Sequence, residues 1–161
     1  MARLKVGGGL SLDPYAQSSV QLFPLGTKMV EGSRVWRYCL NGAGTPAAGA
    51  TLQAAIVQNA AANLDVVVDA VAAIGDYAIS LTSQAAIAVA KDYYKEGYIF
   101  PNVGIGLGYS YKIKTHDALV GTTAGSIFTL YDPIVIALAT SSTKCGLRKN
   151  PYDMVIATAA A

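Results

Sequence analysis

Gly104-Ile105-Gly106-Leu107-Gly108-Tyr109-Ser110-Tyr111-Lys112-Ile113-Lys114 is the stretch on which the fold turns. Its closely spaced glycines offer a dinucleotide-binding turn, which would commit the chain to an α/β fold. Such a turn needs a helix behind it, with the helix N-terminus facing the pyrophosphate. The residues after Gly108 alternate instead. Tyr109, Tyr111 and Ile113 fall on one side and Ser110, Lys112 and Lys114 on the other, the period of a strand with one buried face. Nucleotide binding is set aside, and the glycines read as a wide turn that folds back ahead of a strand.

The same pattern extends in both directions. Upstream, Phe23 to Gly44 holds the single Trp and reads as a hairpin: Thr27 to Val30 and Arg34 to Leu40 flank a short polar turn at Glu31-Gly32-Ser33, and Asn41-Gly42 closes the second strand. Ala50 to Val57 is expected to be a strand entered through Ala-Gly. Val66-Val67-Val68 and Tyr77 to Leu81 form a second hairpin around Gly75-Asp76, with Tyr77, Ile79 and Leu81 on one face. Lys91 to Gly97 is a charged turn, and Tyr98-Ile99-Phe100 a strand. Downstream, Ile127 to Leu130 and Ile134 to Leu138 are strands on either side of Asp132-Pro133, Lys144 to Pro151 is a charged turn, and Met154 to Ala157 is a last short strand. About eight to ten short strands at regular spacing, without a long amphipathic helix, predict an all-β chain. The expected architecture is a single compact β-barrel or β-sandwich domain over residues 21–161, preceded by an extended N-terminal arm over residues 1–20.

The arm is set apart by Gly7-Gly8-Gly9 and Asp13-Pro14. Its apolar residues are spaced singly along it, and Leu4, Val6, Leu10, Leu12 and Tyr15 are the candidate partner-binding positions. An arm of this kind orders on a neighbouring subunit by adding backbone hydrogen bonds to a sheet edge while its side chains fill pockets.

Composition narrows the function. Only 14% of the 161 residues are charged while 53% are hydrophobic, against about 25% charged in ordinary soluble domains. A chain so poor in charge either enters a membrane or hides surface against partners. The longest uncharged run, Tyr38 to Leu64, is broken by Pro46, glycines and side-chain amides, so it does not read as a spanning helix. The N-terminus lacks the apolar stretch of a secretion signal. Partners are therefore expected, with no membrane among them. A net charge of +2, with no basic cluster interleaved with aromatics, does not indicate nucleic acid. Cys39 and Cys145 are expected to be free thiols.

Catalytic chemistry finds little foothold. His116 is the only histidine; one histidine makes no zinc site, and no nucleophile or second acid is placed beside it by any motif. It reads as a structural or solvated residue at the end of a strand. No catalytic, cofactor-binding or metal-binding residue is assigned. Trp36, flanked by apolar strand residues, is expected in the core of its hairpin rather than on a sugar-stacking platform.

The order of segments resembles the head decoration (cement) proteins of tailed bacteriophages. The residues that carry the resemblance are Leu25-Gly26-Thr27, Gly32 to Tyr38, Ala47-Ala48-Gly49, Gly97-Tyr98-Ile99, Gly106 to His116, Asp132-Pro133 and Asn150-Pro151-Tyr152. The resemblance implies a non-enzymatic virion protein made in the host cytoplasm and seated on the capsid exterior. It implies a homo-oligomer, with a trimer favoured, whose partner is the major capsid protein and which strengthens contacts between capsomers. The alternative is a carbohydrate- or receptor-binding β domain of a virion or cell surface.

Overall fold

The computed structural model describes residues 4–5, 11–47, 49–55, 64–82, 88–119 and 125–158. These hold twelve short strands and no helix: β1 Leu4–Lys5, β2 Ser11–Leu12, β3 Lys28–Glu31, β4 Arg34–Arg37, β5 Leu52–Gln53, β6 Val66–Val68, β7 Ala78–Thr82, β8 Tyr98–Val103, β9 Tyr111–His116, β10 Ser126–Leu130, β11 Lys144–Arg148 and β12 Ile156–Ala157. The all-β expectation holds. The chain divides into two compact units, one of Met1–Ala55 with Pro151–Ala161 and the other of Ile56–Asn150. The β domain expected over 21–161 thus spans both units, and its barrel occupies the second.

In Ile56–Asn150 six strands close into a barrel in the order β6-β7-β10-β9-β8-β11, and every pairing is antiparallel. Closure leaves no unpaired edge. The Val66–Val68 and Ala78–Thr82 hairpin forms as its β-branched residues predict, with Val67 opposite Thr82 and Val68 opposite Leu81. Inward residues include Val66, Val68, Ile79, Leu81, Ile99, Ile113, Phe128 and Leu147, all buried. Each contributes about 1.5–3 kcal/mol by leaving water.

Four expectations are corrected here. Lys144 to Pro151 is not a charged turn, because Lys144–Arg148 is β11, a strand paired on both sides, to β6 and to β8. Its charges lie at its two ends, while Cys145, Gly146 and Leu147 between them are buried. Gly146 is there because the Phe100 ring takes its side-chain space: a Cβ would come within 2.5 Å of that ring. Second, Ile134 to Leu138 is no strand; it runs beside 72–77 through spaced bonds, Gly75 N–H to Ile134 C=O and a single bridge between Leu138 and Ala72. Third, Ala50 to Val57 shortens to Leu52–Gln53 among the described residues. Fourth, Tyr77 and Tyr109 do not share the buried face of Ile79 or Ile113. The strands start later, at Ala78 and Tyr111, and both tyrosines are exposed.

The other unit is built of two-stranded ladders: β1 with β2, β3 with β4, and β5 with β12. The β3–β4 hairpin turns through Gly32-Ser33, with Glu31 opposite Arg34. Gly32 has φ +58, as the first central position of a tight two-residue hairpin turn requires. The segment 151–158 returns to this hairpin's base. Leu40 N–H donates to Tyr152 C=O, Val155 N–H donates to Leu40 C=O, and the Tyr152 ring fills the space a side chain at Gly26 would need.

Both cysteines are free. Cys39 is exposed, whereas Cys145 is buried on β11 and burial pushes its thiol up to about 12. A thiolate-selective reagent is therefore expected to modify one thiol per chain quickly and the second only on unfolding. Two thiols reacting at comparable rates in the folded protein would contradict this placement of β11.

Candidate binding surface

The barrel unit carries a strip of exposed apolar side chains. Its first half is made by 71–77 running antiparallel to 130–138, tied by Ala72 to Leu138, Gly75 to Ile134, Ile134 to Asp76 and Leu130 to Tyr77. The spacing of these bonds turns Ala72, Ile134 and Leu138 inward, where they are buried. It leaves Val71, Ile74, Tyr77, Tyr131 and Val135 facing solvent, with Val71 and Ile74 more than two-thirds exposed at 68% and 69%. The second half is the Gly104–Gly108 turn. Gly106, at φ +96, packs against Leu138 so closely that a Cβ would lie 2.8 Å from Leu138 Cδ2. Val135 N–H also donates to Tyr111 Oη. Ile105, Leu107 and Tyr109 are exposed on this turn.

Charge is sparse across the strip. The segments 71–77, 103–109 and 130–138 hold two charged residues between them, Asp76 and Asp132. Asp76 spends its Oδ2 accepting from Ala73 N–H. One cation reaches it from β9, Lys112 Nζ lying 5.2 Å from the centre of the Tyr131 ring. Exposed apolar surface with this little charge marks an interaction site more often than a solvated face.

His116 lies in the same barrel but does no chemistry at the surface. It is 1% exposed and stacked on Phe128, its cross-strand neighbour, at 4.5 Å with rings 6° apart. Its Nε2 accepts from Tyr94 N–H at 2.9 Å, and its Nδ1 donates to Asp117 C=O at 2.6 Å. Both ring nitrogens are committed to backbone groups. Burial lowers its pKa from the ordinary value, against the opposing pull of the Asp117 carbonyl and the Asp92 and Asp117 charges. Asp92 does not orient the imidazole in the manner of a catalytic pair: its Oδ1 accepts from His116 backbone N–H and from Thr115 Oγ1. The group is a clasp on the Lys91–Gly97 turn, in which Asp92 and Glu96 hold positive φ.

Of the N-terminal candidates, Leu4 and Leu12 stand opposite each other in the β1–β2 ladder. Val6 and Leu10 lie outside the described residues. Tyr15 is 64% exposed and meets Trp36 edge to face, ring centroids 5.4 Å apart. Trp36 is half-buried rather than in the core, and its Nε1 is enclosed without an acceptor. It lines a cleft of about 530 Å³ together with Asp13, Gln17, Arg37 and Asn41. Sequence reasoning missed the apolar strip, because only the bonds between 71–77 and 130–138 set which way its residues face.

Among the described residues no three His, Cys, Asp or Glu side chains gather in the manner of a metal site, and no helix is long and apolar enough to cross a membrane. Comparison with protein-family models, curated proteins and solved structures finds no match for this chain.

Proposed function

We propose that this chain is a non-enzymatic structural subunit that self-associates, and that it serves as a decoration or cement protein on the exterior of a phage head. The observation that carries the reading is the apolar strip of Val71, Ile74, Tyr77, Tyr131 and Val135 with the Ile105–Leu107 turn beside it. A closed barrel has no sheet edge to offer, so side-chain burial is what this unit has to give a partner. Stable interfaces bury about 800 Å² on each side, and an exposed strip of this make-up is the material for one. The low charge content and the resemblance of the segment order to that of cement proteins support the same reading. In it the subunits form a homotrimer, the major capsid protein is the partner, and residues 1–20 reach a neighbour. Repetition on an icosahedral lattice turns individually weak contacts into firm attachment.

The test is the mass in solution beside co-sedimentation with purified heads. The wild-type chain is expected to be oligomeric and to pellet with capsids. The double variant Ile74→Lys with Val135→Lys changes only exposed side chains, so its folding stability should move by no more than about 0.5 kcal/mol for each site. Its self-association should weaken at least about tenfold. A wild-type monomer that ignores capsids would end the proposal.

A second reading rests on the Trp36 cleft, whose volume falls within the usual range of ligand sites, about 300–1,000 Å³. It makes the unit of Met1–Ala55 with Pro151–Ala161 a carbohydrate- or receptor-binding module. Trp36 is the only Trp, so its fluorescence reports on this cleft directly. Saturable quenching by a glycan, abolished in Trp36→Ala, would favour this reading over the first.

A further inference from the structure

The β3–β4 ribbon is two strands wide, and among the described residues no backbone hydrogen bond joins either edge to another segment at Lys28, Val30, Val35 or Arg37. A two-residue turn makes Glu31 and Arg34 the hydrogen-bonded pair that closes the hairpin. The next pair, Val30 with Val35, is then non-hydrogen-bonded, and so is Lys28 with Arg37. Residues of non-hydrogen-bonded pairs point their own N–H and C=O groups outward. Both edges therefore present donors and acceptors ready for a third strand.

The same four residues share one face. Met29, on the opposite face, is buried, while Lys28, Val30, Val35 and Arg37 are all exposed, Val30 at 44% and Val35 at 57%. The outer face thus shows a valine pair near the turn and, one step along the strands, two cations directly opposite each other. Like charges so placed repel. Arg37 donates to Gly26 C=O and lies over the Tyr152 ring, and neither it nor Lys28 has an ion pair with a carboxylate among the described residues.

The wider charge distribution points the same way. Ile56–Asn150 holds seven basic and seven acidic residues, whereas the remainder of the chain holds five basic and three acidic. The net charge of +2 therefore belongs entirely to the unit that contains the ribbon.

We infer that the β3–β4 ribbon is a docking site for an extended segment of a partner protein, which adds as a third strand and carries a carboxylate and an apolar residue two positions apart. Period-two spacing brings both side chains to the outer face. The carboxylate meets Lys28 or Arg37 and relieves their repulsion, the apolar residue covers Val30 or Val35, and main-chain bonds supply the remaining affinity. The site names the chemistry of a partner without requiring a capsid.

The probe is a capped seven-residue peptide, Thr-Thr-Glu-Thr-Val-Thr-Thr, titrated into the full-length protein with backbone amides followed by NMR. The expected result is saturable shifts at Lys28–Glu31 and Arg34–Arg37 with barrel amides unmoved. Lys28→Glu should weaken binding at least about fivefold, the scale of one exposed ion pair lost and one repulsion gained. A control peptide with Lys in place of Glu should not bind. Equal binding of the two peptides, or no movement of ribbon amides, overturns the inference. So do ribbon shifts that track protein concentration without peptide, which would make a second copy of this chain the occupant. The titration contains no capsid, so failure to pellet with phage heads leaves its outcome intact.

Discussion

Gly97→Ala is expected to cost about 3 kcal/mol or more, the upper end of what overpacking does, because the new methyl has nowhere to go. Gly97 lies immediately before β8, and a Cβ there would collide with the Arg148 carbonyl oxygen of β11 and come within 2.9 Å of the Tyr94 carbonyl oxygen. Both obstacles are backbone. A side chain can rotate away, but Arg148 is held in register opposite Tyr98, and Gly97 itself donates to Tyr94 C=O and accepts from Ile113 N–H. Relief would have to break a ladder on one side or the turn on the other. For a barrel of this size the loss corresponds to a fall in Tm on the order of 15 °C. Thermal unfolding of the variant beside wild type measures it. A Gly97→Ala protein as stable as wild type would mean that β8 and β11 are not packed as described.

His116→Ala should cost a similar amount, about 3 kcal/mol, by a different mechanism. It removes a ring stacked on Phe128 and leaves Tyr94 N–H and Asp117 C=O without their partner in the core. The same residue makes the barrel sensitive to acid. The folded pKa of His116 lies below its ordinary value of 6.5, chiefly through burial. As pH falls through about 6.5 the unfolded chain takes up this proton before the folded one does, so stability is full above that value and declines below it. Asp92 adds a second decline at lower pH. Burial alone would raise its pKa, but the bonds from Thr115 and His116 N–H, with the His116 and Lys95 charges, outweigh burial and lower it from 3.8. Its contribution is present above 3.8 and is lost as pH falls through the folded value. Urea midpoints measured from pH 7.5 down to 5 should fall for wild type. In His116→Gln, where no group titrates in that interval at this position, they should stay flatter. Parallel curves for the two proteins would remove His116 as the origin of acid sensitivity.

How much of this was legible in the sequence depends on whether a residue's own pattern or a distant partner decides its place. The Lys28–Arg37 hairpin, the Val66–Thr82 hairpin and the strand after Gly108 were readable because their alternation and turn residues are local. β11 was not. Lys144 and Arg148 flank a glycine, which locally looks like a turn, and only the Phe100 ring on the neighbouring strand explains why glycine is wanted in mid-strand. The ribbon's binding face was not legible, since the expected turn Glu31-Gly32-Ser33 would set Val30 opposite Arg34, whereas Glu31 pairs with Arg34 and so sets Val30 opposite Val35 and Lys28 opposite Arg37.

The amino-acid sequence by itself determined that the chain is β-rich, where most of its tight turns fall, and that only 14% of its residues are charged. Local φ preferences, period-two patterning and composition are properties of short stretches, so no partner strand is needed to read them. Tertiary structure decided the orientation of His116 and of the apolar strip. In β9 strict alternation from Tyr111 and Ile113 would have turned Thr115 inward and His116 out. A bulge opposite Thr129 and Leu130 pairs Ile113 with Leu130 but Thr115 with Thr129 and His116 with Phe128, and the extra residue, Lys114, shifts everything after it by one face. His116 thereby enters the core while its neighbours Lys114 and Asp117 stay exposed. A bulge belongs to a pair of strands, and so do the bonds that aim Ile74 and Val135 at solvent, which is why neither can be read from one strand alone.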